Sequence, residues 1–92
     1  MDIIIVHNDP SVVDRIKNAD FKSSHFIKFI DEGSLKGKKE AFKLKGAWGA
    51  RMTPFVAIFE GEEIMKAFYT EADKDVIGTL INYLKNESTN NQ

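Results

Sequence analysis

Residues 51–63, RMTPFVAIFEGEE, constrain this chain more than any other stretch. Phe55, Val56, Ala57, Ile58 and Phe59 form an apolar run bounded by Pro54 and Gly61, and a short run rich in β-branched and aromatic residues between such punctuators reads as a strand. Proline has no N–H to give to a sheet ladder, so it belongs at a strand start, on an edge or at a bulge. Pro54 therefore marks where the strand begins, and Glu60-Gly61-Glu62 marks where it turns. The next run, EIMKAFY, follows so closely that the two strands form a β-hairpin. The rest of the chain has to pack around a hairpin whose first strand is apolar on both sides.

The remaining segments supply partners for it. Residues 3–6, IIIV, suit a strand covered on both faces. In HNDPS, Asp9 can cap a helix and Pro10 can occupy its first turn, where a missing N–H costs nothing; Val12, Val13 and Ile16 then recur at helical spacing, predicting a helix over 10–19. HFIKFIDEG reads as a second strand closed by Gly33. Residues 34–48 mix lysines with Ala41, Leu44 and Trp48 at i, i+3, i+7, predicting a narrow apolar stripe on a helix that Gly37 and Gly46 keep short. Thr70 is the expected cap of a last helix with Val76, Ile77, Leu80, Ile81 and Leu84 on its apolar face and acids in its first turn. The order is βαβαββα, an α/β fold with a four-stranded mixed sheet and helices on both faces. A single domain over 1–87 and a polar tail over 88–92 are expected.

Composition narrows the function. Of 92 residues, 42% are hydrophobic and 29% charged, close to the averages for soluble globular proteins. No run approaches a membrane span, and the first residues lack the pattern of a signal peptide, so none is expected. A cytoplasmic protein is the expectation, or one inside a virion if a phage encodes it. The chain contains no cysteine, which removes disulfides, thiolate nucleophiles and cysteine-based zinc sites. Net charge is −1, yet residues 33–51 hold six basic residues against Glu40, and residues 52–75 hold six acidic residues against Lys66 and Lys74. The molecule is electrically lopsided.

The element order and residues 48–62 resemble the thioredoxin fold in its minimal, glutaredoxin-like form. Thioredoxins carry an aromatic residue, a glycine, one residue, an arginine, two residues, a proline, an apolar strand and a glycine turn; Trp48, Gly49, Arg51, Pro54, residues 55–59 and Gly61 fall in that register. The resemblance implies a cis Thr53–Pro54 bond beside the family's active site, with the backbone of Met52 and Thr53 facing outward to pair with an extended peptide. The family's Cys-x-x-Cys at the start of the first helix corresponds here to Asn8-Asp9-Pro10-Ser11. The proline is kept and both sulfurs are gone, so the family's thiol chemistry cannot be run by this chain. A peptide-binding edge needs no sulfur.

Each candidate residue has a plain alternative. His7 and His25 with Asp9 form only a weak metal signal, because their spacings match no ligand pattern; no metal or cofactor is expected, and His7 is better read as a surface contact beside the loop. Ser11 as a nucleophile needs a base within reach, whereas a serine at a helix start ordinarily caps it. Lys36, Lys38, Lys39, Lys43 and Lys45 form a basic patch that, with Phe42 and Trp48, suits either a nucleic acid or an acidic protein surface, and otherwise serves solubility. Trp48 either fills the core or anchors a partner.

The expected function is accordingly non-enzymatic: a non-redox thioredoxin-like protein-binding or structural module, an accessory subunit of a larger assembly such as a phage particle, with His7, Asn8, Asp9, Pro10, Ser11, Trp48, Arg51, Met52, Thr53 and Pro54 as the binding surface. Two alternatives come from other classes. One is a glutaredoxin-like pocket for glutathione or another small anion, and the other is nucleic-acid binding through the lysines. Self-association through the lopsided field is a further expectation.

Overall fold

The computed structural model describes residues 2–19 and 26–90, the side chains of 87–90 excepted. His25 and the start of the HFIKFIDEG segment lie outside the described residues, as do Asn91 and Gln92 of the expected tail. Seven elements follow in order: β1 (Asp2–His7), α1 (Ser11–Asn18), β2 (Phe26–Asp31), α2 (Leu35–Gly46), β3 (Phe55–Glu60), β4 (Glu63–Tyr69) and α3 (Val76–Asn90). The last helix thus continues into the stretch that composition alone reads as a tail.

The strands form one four-stranded sheet in the order β2-β1-β3-β4. β1 runs parallel to β2 and antiparallel to β3, and β3 is antiparallel to β4, so the sheet is mixed and the hairpin completes it. The two central strands are apolar in nearly every position because both of their faces are covered. Ile3, Ile5, Val56 and Ile58 point to one face, where Ile16 of α1 and Val76, Ile77, Leu80 and Leu84 of α3 meet them. Val6, Phe55 and Ala57 point to the other, beneath Ala41 of α2.

Two local devices set the geometry. Gly61 adopts φ 63° in the two-residue connection of the hairpin, a backbone region that glycine enters without penalty. In β4, Lys66 pairs with Ile58 but Ile64 pairs with Phe59, so Met65 is an extra, bulged residue. The bulge reverses the alternation. It places Ile64 on the α2 face with Ala67 and Tyr69, and leaves Lys66 on the other face with its ammonium 5.5 Å from the centre of the Phe68 ring.

The helices differ from their sequence expectations in instructive ways. α2 is a regular helix of 12 residues, and Gly37 does not interrupt it but lets it approach the sheet. A Cβ on Gly37 would lie 2.0 Å from the carbonyl oxygen of Asp31. Ser34 caps the helix, its hydroxyl accepting from the Gly37 N–H at 2.9 Å and donating to the Asp31 carbonyl at 2.9 Å. The inward stripe is Gly37, Ala41 and Lys45, all buried, rather than Ala41, Leu44 and Trp48. Trp48 lies past the end of α2 and is 42% exposed, so it does not fill the core.

At α3 the cap is Asp75, whose carboxylate accepts from the Gly78 N–H at 3.1 Å, and the helix has no acid in its first turn. Thr70 is bonded elsewhere, because a turn at Tyr69, with the N–H groups of Ala72 and Asp73 both donating to its carbonyl, intervenes before the helix. The Asp75 carboxylate also receives both arms of the Arg15 guanidinium, at 3.0 and 2.9 Å, tying α1 to α3. These hydrogen bonds, the Arg15 pair first, hold the Asp75 carboxyl below its ordinary value of 3.8.

Candidate functional site

The sheet register brings the candidate residues to one end of the sheet. Val6 pairs with Phe55, so the residues that follow one and precede the other, His7–Asn8 and Thr53–Pro54, leave the sheet side by side. On the other flank His7 pairs with Asp31, and the Glu32 N–H continues the ladder by donating to the His7 carbonyl at 2.8 Å. The Thr53–Pro54 peptide is cis.

The loop that enters β3 is clamped from two sides. From the β4–α3 connection, one carboxylate oxygen of Glu71 accepts the backbone N–H groups of Arg51 and Met52, at 2.6 and 3.3 Å. The Arg51 N–H bond is the largest influence on Glu71 and holds its carboxyl below the ordinary 4.5. Next to it the Thr70 hydroxyl donates to the Pro54 carbonyl at 2.7 Å. From α2, the ammonium of Lys45 donates to the Arg51 carbonyl and the Thr53 hydroxyl, each at 3.1 Å, and to Glu32 at 2.5 Å. The Thr53 hydroxyl in turn donates to the second oxygen of Glu32.

Lys45 is 5% exposed, and its three protons have three acceptors, as a buried ammonium requires. Burial pushes the Glu32 carboxyl up, but the hydrogen bonds from Lys45 and Thr53 and the nearby charges of Lys45 and Lys38 outweigh it, leaving Glu32 below its ordinary 4.5 and ionised. Lys45 therefore does not belong to the basic surface in which its sequence neighbours place it. Lys36, Lys38, Lys39 and Lys43 remain exposed on α2.

The clamp leaves one residue open. Met52 cannot offer its N–H as the resemblance implies, since Glu71 holds it, whereas the backbone N–H and C=O of Thr53 have no partner among the described residues. Beside Thr53, the loop from β1 to α1 presents Asn8, Asp9, Pro10 and Ser11 to solvent. Asp9 folds back so that its carboxylate accepts the Ser11 N–H at 3.0 Å, and that bond, first among several, lowers its carboxyl from the ordinary 3.8. The start of α1, where the resembling family keeps its reactive sulfur, is thus occupied by the chain's own carboxylate.

His7 is not the surface contact its position suggests. It is buried at 6% exposure, edge-on to Phe29 with ring centres 6.1 Å apart, and its Nδ1 has no partner among the described residues. No hydrogen bond joins it to Ser11, so the arrangement a serine nucleophile would need is not assembled. No group of three or more metal-ligating side chains occurs among the described residues, and no helix among them is long and apolar enough to cross a membrane.

A cleft of about 650 Å³ opens on the α2 side of the loop, lined by Glu32, Lys38, Phe42, Lys45, Ala50 and Arg51 among others. Glu32, Lys45 and Glu71 hold the loop, yet sequence alone singled out none of them for that role. For Lys45 a signal existed, its i+4 and i+8 spacing from Ala41 and Gly37. For Glu71, which bonds a segment 20 residues away, no local signal exists. The chain matches no protein-family model, no curated protein and no solved structure.

Proposed function

We propose that this chain is a thioredoxin-like domain without thiol chemistry that binds an extended segment of a partner protein by pairing it with the backbone of Thr53. The N–H and C=O of Thr53, without a partner among the described residues in a loop otherwise pinned by Glu71, Thr70 and Lys45, carry this reading. A backbone segment that is already fixed loses little freedom when an extended chain pairs with it, which is how preorganisation favours association. Met52, 52% exposed beside it, supplies a flexible apolar contact suited to more than one partner sequence. The mixed sheet with its β2-β1-β3-β4 order supports the thioredoxin-like description, and the absence of cysteine from the sequence supports the non-redox one.

The test is selection from a random peptide display library followed by amide NMR of the complex. Selected peptides shift the amides of Thr53 and Asn8 together, and the Thr53 amide gains protection from hydrogen exchange on binding. Failure to recover any peptide tighter than millimolar, or binders that leave Thr53 unshifted, overturns the reading.

A further inference from the structure

The cleft beside Thr53 has a character that the backbone edge alone does not explain. Its lining charges are not balanced: Glu32 and Lys45 neutralise each other at 2.5 Å, while Lys38 and Arg51 have no ion-pair partner among the described residues. Lys38, whose charge acts on Glu32 without contacting it, and Arg51 leave the lining with a positive excess beside an apolar wall at Phe42, 79% exposed on α2, and the buried Ala50. At about 650 Å³ the cleft is in the range that encloses a drug-sized group. It is also in register with the edge. The Thr53 side chain points to Lys45 and Glu32, both of which line the cleft, and residues opposed across paired strands project to the same face.

We propose that the cleft selects the partner segment by taking an acidic side chain, opposite Thr53, between Lys38 and Arg51, with an aromatic side chain two residues away stacking on Phe42. Residues two apart on a strand share a face, so an acid-x-aromatic pattern places both groups in the cleft at once. This rests on the Thr53 reading and adds the chemistry of the segment. A nucleic acid is the poorer occupant, because the whole chain carries a net charge of −1, with six acidic residues in 60–75 to repel an extended polyanion.

The experiment compares two synthetic peptides by fluorescence anisotropy, one acid-x-aromatic and one with the acid replaced by its amide, each against the wild-type chain and Lys38→Gln/Arg51→Gln. The acidic peptide is expected to bind about tenfold tighter than its amide, and the double variant to abolish that difference while its amide spectrum shows an intact fold. Equal affinities for the two peptides, both still shifting Thr53, overturn the cleft proposal and leave the edge reading standing. Binding of neither peptide removes both. Tighter binding of a single-stranded oligonucleotide, or of glutathione, with shifts centred on Lys38 and Arg51 assigns the cleft to that ligand and overturns the proposal.

Discussion

The two faces of the sheet are built from different materials. On the α1/α3 face Ile3, Ile5, Val56 and Ile58 meet Ile16, Val76, Ile77, Leu80 and Leu84, an interior of branched aliphatic side chains with Val12, Phe29 and Phe68 packed around it. On the α2 face three of the six buried residues are alanines, Ala41, Ala50 and Ala57, and the helix above them contributes a glycine and a lysine to its inner side. Small residues bring α2 close, and the volume given up is occupied by the bonded set of Lys45, Glu32 and Thr53. One face holds the fold together through apolar burial, and the other fixes the position of a loop.

The sharpest way to break this contrast is on the apolar face. Leu80→Ala removes a fully buried side chain and should cost about 3 kcal/mol, read by denaturant unfolding, with the Thr53 amide shift in the folded state unchanged. A change at Thr53 as large as that at Val56 would mean that the two faces are not separable.

On the other face Lys45→Met should cost less, about 2 kcal/mol, because Glu32 is left ionised and half-partnered but retains some contact with water. The signature is rescue. Lys45→Met/Glu32→Leu should return to within about 1 kcal/mol of the parent while peptide binding at Thr53 stays impaired. Restoration of both together would show the polar set to be ordinary packing.

The smallest effect is in acid. Glu32 and Glu71 have folded-state values below their ordinary 4.5, so the stability they contribute is complete above that pH and is lost as pH falls through the lower folded values. Protection of the Arg51 and Met52 amides should therefore decay on acidification before that of Ile3 and Ile5. Glu71→Gln should remove most of this difference. Simultaneous loss at all four amides would place the acid sensitivity in the fold as a whole.

The apolar face was legible in the sequence. The unbroken apolar runs 3–6 and 55–59 and the stripe Val76, Ile77, Leu80, Leu84 are short-range patterns, and burial follows them directly. The α2 face was not. Its helix hides a lysine and a glycine inward and leaves Leu35 and Phe42 out, reversing the usual polarity because a polar partner, Glu32, waits below. Likewise Asp75 rather than Thr70 caps α3, since β4 ends in a turn that delays the helix, and His7 is buried, edge-on to Phe29 of the neighbouring strand β2. Pro54 and the order of the strands placed the candidate loops at one end of the sheet, but the groups that hold the loop are set by contacts up to 21 residues apart.

The close approach at Gly37 has a consequence for the cleft. With Asp31 at 2.0 Å from any added methyl, position 37 acts as a spacer gauge between helix and sheet. A side chain there would wedge α2 outward and carry the wall at Phe42 and the anchor at Lys45 with it. The width of the recess is thus governed from a residue outside its lining.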